Sequence, residues 1–195
     1  MLYDKLSIGL FGGSFNPAHD GHLHVAECGL RELALDRVWW MVSPQNPLKP
    51  KQPSYESRVK TVEALNLKPR MEISHMEQKF GTNYTIDMIR MAQMRFPRTR
   101  FVFLMGADNF AQFPKWKDWQ EIAARVPIAV IARPGDGVKP RLSKTARMLE
   151  QYRVPEEHSH ILQYFRAPLW TFLTPPLNSL SSSAIRKDMA NSSKR

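Results

Sequence analysis

The stretch Ile8-Gly9-Leu10-Phe11-Gly12-Gly13-Ser14-Phe15-Asn16-Pro17-Ala18-His19-Asp20-Gly21-His22 decides the fold. It begins as an apolar strand, meets two glycines, turns through a proline and delivers two histidines to the start of an amphipathic segment. A strand ending in Gly12-Gly13 lets backbone approach a phosphate closely, and the N-terminus of a following helix supplies unpaired N–H groups and a positive dipole end. The order of parts predicts a strand-to-helix phosphate site with His19 and His22 at its mouth. The glycine spacing fits neither the Walker A loop nor the Gly-x-Gly-x-x-Gly dinucleotide fingerprint. A zinc site is disfavoured too. The helix-borne hydrolase motif spaces its histidines four apart with a glutamate after the first, whereas these are three apart with no third ligand evident.

Outward from this stretch the chain alternates strand and helix patterns. Leu23, Ala26, Leu30 and Leu33 recur with the spacing of one helix face, and the segment from Arg37 to Ser43 reads as a second buried strand. A right-handed crossover fits between them, so the first unit is βαβ with parallel strands. Residues 44–53 hold four prolines and must be a loop, placed at the carboxyl end of a strand where open α/β sheets bind ligands. Lys49 and Lys51 in that loop could meet phosphates, a solvated loop lysine being the commoner reading for Lys51.

Ser54 is a predicted N-cap for a helix whose face is Tyr55, Val59, Val62 and Leu65. A brief strand at 71–74 precedes a helix with Ile86, Ile89, Ala92 and Phe96 on one face, which Pro97 ends. Arg100 to Gly106 is the clearest strand. Asp108 lies just past it, placed either to accept hydrogen bonds from a ribose or substrate amide or to cap the next helix. Trp116, flanked by Lys115 and Lys117, suits stacking on a charged aromatic ring. Pro127 to Ala132 is another strand, with Arg133 at its carboxyl end as a bidentate phosphate reader. Leu142, Ala146, Leu149 and Tyr152 predict one continuous helix face, and residues 169–173 a last strand. Ser182 and Ser183 precede Ile185-Arg186, which predicts a second phosphate-binding helix end.

Composition bounds the rest. At 195 residues the chain suits one full α/β domain, and 43% hydrophobic with 24% charged residues is ordinary for a globular protein. A formal net charge of +10 favours polyanionic partners, whether nucleotides, nucleic acid or an anionic membrane surface. Cys28 is the only cysteine, which excludes an intramolecular disulfide. No apolar run reaches signal-peptide or membrane-spanning length, so a cytoplasmic location without membrane partners is expected. The expected organisation is a Rossmann-like open parallel sheet with helices on both faces, one domain over 1–190, and a flexible tail over 191–195.

Gly12-Gly13-Ser14-Phe15-Asn16-Pro17 with His19-Asp20-Gly21-His22 resembles the signature of the HxGH nucleotidyltransferases, with Asn16 where the pattern has Asp. Leu180-Ser181-Ser182-Ser183-Ala184-Ile185-Arg186 is similar to the family's closing Ile-Ser-Ser-Thr-x-Ile-Arg motif. Asn83-Tyr84-Thr85-Ile86-Asp87 and Leu104-Met105-Gly106-Ala107-Asp108-Asn109 through Trp116 resemble the bacterial nicotinate mononucleotide adenylyltransferase branch, Met88 standing where that branch often has Thr. Together these matches cover nearly the whole chain.

The resemblance implies transfer of AMP from ATP to nicotinate mononucleotide, giving deamido-NAD and pyrophosphate in NAD biosynthesis. It implies catalytic roles for His19, His22 and Arg186, and ATP or phosphate contacts at Gly12, Gly13, Ser14, Phe15, Lys49, Gly106, Arg133, Ser182 and Ser183. Trp116 would stack on the acceptor's pyridine ring, Thr85 and nearby amides would read its carboxylate, and Asp108 would hold the nucleotide. Mg²⁺ would come with the ATP phosphates rather than on protein ligands. A homo-oligomer is possible. The alternatives are nicotinamide mononucleotide or another phosphorylated acceptor, and an RNA-binding protein; the chain shows no RNP-like aromatic pattern and no Gly-x-x-Gly clamp in a suitable context, so no nucleic-acid partner is expected.

Overall fold

Six apolar runs and one short seventh pair into a single sheet. In the computed structural model, which describes residues 3–48, 50–132 and 139–174, the strands are β1 (Ser7–Gly13), β2 (Arg37–Val42), β3 (Met71–Ser74), β4 (Arg100–Gly106), β5 (Ile128–Ile131), β6 (Arg153–Val154) and β7 (Trp170–Leu173). Their order is β3-β2-β1-β4-β5-β7-β6, and every neighbouring pair is parallel. The helices are α1 (Asp20–Glu32), α2 (Tyr55–Glu63), α3 (Met76–Phe80), α4 (Thr85–Arg95), α5 (Ala107–Gln112), α6 (Trp119–Arg125) and α7 (Lys144–Met148).

The central strands read as unbroken apolar runs because both their faces are covered. Side chains alternate between two cores at the strand period of two. Phe101, Phe103 and Met105 of β4 join one core with Ile86 and Ile89 of α4, Phe110 of α5 and Ile122 of α6. Val102 and Leu104 join the other with Val25 and Ala26 of α1 and Val59 and Val62 of α2. Helices therefore lie on both faces, as the sequence predicts. Gly29 of α1 packs closely on the sheet: a Cβ there would stand 2.7 Å from Leu104 Cδ1, so a larger residue would have to displace that leucine's end. Cys28 beside it is fully buried, and burial pushes its thiol up to about 11, which makes it an inert packing group.

The chain runs outward from β1 through β2 to β3, then returns to place β4 on the other side of β1. That reversal opens a crevice at the carboxyl ends of β1 and β4. Gly12 and Gly13 end one strand and Gly106 the other, so the opening sequence stretch lies at the switch point.

One expectation is corrected. Residues 142–152 do not form a continuous helix but a 3₁₀ turn (Lys139–Leu142), the short α7 and a second 3₁₀ turn (Glu150–Tyr152). Ser143 Oγ accepts the N–H of Ala146 and starts α7 afresh, Leu142 is exposed, and the Leu149 carbonyl accepts the Trp170 indole N–H at 2.8 Å. Helical spacing of apolar residues here reflects separate turns meeting one strand. The predicted domain limit at residue 190 and the tail at 191–195 lie outside the described residues, as does Pro134 to Val138 of the preceding connection. No helix among the described residues is long and apolar enough to cross a membrane.

Candidate active site

Helix α1 starts on His19, an unusual residue for a cap. Its backbone is extended, its Nδ1 accepts the N–H of Gly21 at 3.0 Å, and His22 Nδ1 accepts the N–H of His19 at 3.3 Å. The two imidazoles thus form a reciprocal capping box, the device more often built from Ser or Thr with Glu. A ring nitrogen that accepts carries no proton, so each neutral ring bears its hydrogen on Nε2. The rings lie 3.9 Å apart by centroid and are buried, with 4% and 8% exposure. Two N–H donors are therefore oriented at a helix N-terminus, where the dipole favours an anion.

The turn before them is packed rather than open. Phe15 is buried, lies edge-on to Phe11 and His22, and tilts against Trp40. Its ring occupies the space beside Gly13, where a Cβ would come within 2.8 Å of Phe15 Cζ. Gly13 thus makes room for the ring that backs His22. The Ser14 hydroxyl is buried and has no hydrogen-bond partner among the described residues.

A cavity of about 390 Å³ opens beside this turn. Gly12, Gly13 and Ser14 line it, as do Thr85, which opens α4, and Trp116. Trp116 is fixed by edge contacts with Phe103 and Phe113, at centroid distances of 6.1 and 5.5 Å. Tyr84 gives α4 no side-chain cap, so the first-turn amides at Thr85 are left for another partner. Lys117 sets its ammonium 4.3 Å from the Tyr84 ring, a cation–π contact between two residues of the cavity wall. The volume suits one small aromatic nucleotide portion rather than a whole dinucleotide.

The structure thus brings Gly12, Gly13, Ser14, Thr85 and Trp116 to one cavity. Phe15, His19 and His22 do not line it, nor do Gly106 and Asp108. Asp108 is exposed in the first turn of α5, while Gly106 is the backbone cap of that helix and Asn109 reaches the cavity instead. Trp119, which opens α6, is half-buried, packs edge-on against Phe113 and does not line the cavity. Lys49, Arg133, Ser182, Ser183 and Arg186 lie outside the described residues.

Sequence reading missed Glu77. It sits on the five-residue α3, is 4% exposed, and lines the cavity. Burial pushes its carboxyl up to about 8, partly opposed by a hydrogen bond from Ser43 and by the charge of Arg58. Such a short helix carries no readable periodicity, so the sequence held no signal that this acid is internal. Among the described residues no group of three or more His, Cys, Asp or Glu could hold a metal ion.

Known proteins extend the picture. A cytidylyltransferase-like family model matches residues 10–188. The chain is similar to a protein of Parvibaculum lavamentivorans described as a probable nicotinate-nucleotide adenylyltransferase, at 46% identity over 96% of this chain and 94% of that one. A Ruegeria protein of the same description is 43% identical over 93% of this chain and 97% of the relative. Among solved structures, the Plasmodium falciparum nicotinic acid mononucleotide adenylyltransferase complexed with NaAD shares the fold, with a TM-score of 0.69 and 17% identity over 93% of this chain and 83% of that one. Matched almost end to end by such relatives, the chain belongs to the cytidylyltransferase-like family, on its nicotinate-nucleotide adenylyltransferase branch.

Proposed function

We propose that the protein transfers AMP from ATP to nicotinate mononucleotide, forming deamido-NAD and pyrophosphate. The observation that carries this reading is that the end of β1 lines a cavity shared with Trp116 and Thr85 through Gly12, Gly13 and Ser14 and leads directly into the histidine-capped N-terminus of α1. The helix N-terminus suits a triphosphate and the cavity a pyridine ring with an anionic substituent. The relatives' descriptions support the same pair of substrates.

In the reaction an oxygen of the acceptor phosphate attacks the α-phosphorus of ATP, and the bond from that phosphorus to the bridging oxygen breaks. Pyrophosphate leaves with the electron pair. The nucleophile is already ionised, so no strong general base is required, and catalysis consists of alignment and charge stabilisation. His19 and His22 donate from Nε2 to phosphate oxygens as charge builds. Gly12, Gly13 and Ser14, which line the cavity, let backbone approach a phosphate there. Trp116 stacks on the pyridine, and the opening amides of α4 with Thr85 bind its carboxylate. Asp108 holds the nucleotide at the outer edge, and Ser182, Ser183 and Arg186 bind the β- and γ-phosphates. Mg²⁺, where it accompanies ATP, would be held by the phosphates and would help neutralise their charge.

Pyrophosphate release from ATP is measured in parallel with nicotinate mononucleotide and nicotinamide mononucleotide. Preference for the acid is expected. Equal or better use of the amide would replace the acceptor, and no release with either, together with tight salt-sensitive RNA binding, would replace the enzyme by a nucleic-acid binder.

A further inference from the structure

Arg58 is a charged residue inside the protein. It lies in α2 with 1% exposure, and its three donor positions reach three backbone carbonyls. Nη1 donates to Ser14 O at 2.7 Å, Nη2 to Pro44 O at 2.6 Å and Nε to Pro53 O at 3.1 Å. Ser14 belongs to the turn that leads to His19. Pro44 and Pro53 are the two ends of the loop whose Asn46, Pro47 and Leu48 line the cavity. One planar fork therefore holds the histidine-bearing turn and closes the base of the neighbouring loop.

Neighbouring bonds reinforce the first of these grips. One turn further along α2, Thr61 Oγ1 accepts the N–H of Ala18 at 3.0 Å and donates to the Arg58 carbonyl at 2.7 Å. The turn from Ser14 to Ala18 is thus held at both ends by α2 immediately before the His19 cap. Ser43 N donates to Gly13 O at 3.0 Å, which brings the roots of the two segments side by side. A buried arginine that served packing alone would be satisfied by acceptors anywhere in the core. These three acceptors all belong to the two segments that frame the site.

We propose that Arg58 is a positioning residue for adenylyl transfer, setting the histidine-bearing turn and the loop over the acceptor cavity in register through a single guanidinium. A lysine cannot replace it. Its one ammonium nitrogen is a point donor, whereas the three carbonyls meet separate nitrogens of a rigid fork. Loss of the fork lets both segments drift, and misplacement by a fraction of an ångström reduces reaction far more than binding.

The inference rests on the adenylyl-transfer reading for its kinetic consequence and on geometry alone for its mechanical one, so its test has two arms. In Arg58→Lys, hydrogen exchange at the amides of Ser14, Phe15, Ala18 and His19 is expected to quicken together with that of Gln45, Asn46 and Leu48, while β4 keeps wild-type protection. Thr61→Val should quicken exchange only in the first group. Turnover of Arg58→Lys with ATP and nicotinate mononucleotide is expected to fall ten- to hundredfold in kcat, per ATP-binding site, with both KM values within threefold of wild type. If β4 also loses protection, Arg58→Gln, which keeps one amide donor, replaces it in both arms. Unchanged exchange in either segment, or a kcat within twofold of wild type, overturns the proposal. A wild-type chain with no turnover faults the proposed reaction instead, and the exchange arm then decides the coupling by itself.

Discussion

His22 Nδ1 accepts the backbone N–H of His19, so the second histidine fixes the first while its own Nε2–H points away from the cap. In the proposed reaction the same ring serves folding through one nitrogen and chemistry through the other. Replacement by alanine removes both. Asparagine places an acceptor near the Nδ1 position without a donor at Nε2, and glutamine does the reverse.

His22→Asn should keep a melting temperature close to wild type and lose roughly a hundredfold or more in kcat, the scale of removing a transition-state donor. His22→Gln should retain more activity but lose about 1 kcal/mol of stability with the cap. Thermal melts and steady-state turnover check both. A near-normal rate for His22→Asn would remove this residue from the chemistry.

Trp116 is held by Phe103 and Phe113 with one side on the cavity, so it can stack without rearranging. Stacking of a base on an aromatic side chain is worth about 1–3 kcal/mol. Trp116→Ala should therefore raise the KM for the acceptor by roughly 10- to 100-fold while changing the KM for ATP far less, and Trp116→Phe should fall between. A change confined to ATP would place the indole on the wrong substrate.

These assignments were legible in the sequence to different depths. The central strands could be read because burial on both faces writes them as unbroken apolar runs, and the turn that leads into the histidine-capped helix followed from the glycines and histidines after the first, whereas the two-residue β6 is too short to show a pattern. Arg58 could not be read as internal. A cation one residue before Val59 looks like the solvent side of an amphipathic helix, and two of its three partners are carbonyls 44 and 14 residues away that no side-chain pattern announces. Glu77 was hidden for a related reason, since α3 is too short to show a face. Leu142 to Tyr152 had helical spacing without helical continuity, because Ser143 begins a new cap inside it.

Glu77 gives the protein a pH signature. Its carboxyl is raised from 4.5 to about 8 by burial, so the folded state binds a proton more tightly than the unfolded state does. The stabilisation is full below the unfolded value and is lost as pH climbs through the interval from 4.5 to about 8. Glu77→Gln cannot titrate and should lack this loss. Denaturant melts of both proteins at pH 5, 6, 7 and 8 should show the difference in stability, wild type minus variant, falling with pH by on the order of a few kcal/mol in all. A flat difference would mean that Glu77 is ionised in the folded protein throughout.

Gly12 and Gly13 make opposite predictions although they are adjacent. A Cβ at Gly12 would meet the Phe103 ring at 3.4 Å, an ordinary contact, so Gly12→Ala should change stability little. A Cβ at Gly13 would lie 2.8 Å from Phe15 Cζ, and that ring is bounded by Phe11, Trp40 and His22 and has no free direction. Gly13→Ala should cost about 1–3 kcal/mol by overpacking, and the displaced ring should press on His22 and lower kcat as well. Trimming the obstruction separates steric from chemical causes. The double variant Gly13→Ala, Phe15→Leu should recover part of the melting temperature lost in Gly13→Ala, because leucine lacks the ring atoms that meet the new methyl. Recovery of stability with no gain in turnover would show that Phe15 itself, and not only the space it fills, is needed to hold the imidazole in place. No recovery in either measurement would mean that Gly13 is required by its backbone or by substrate, and the packing explanation would fall.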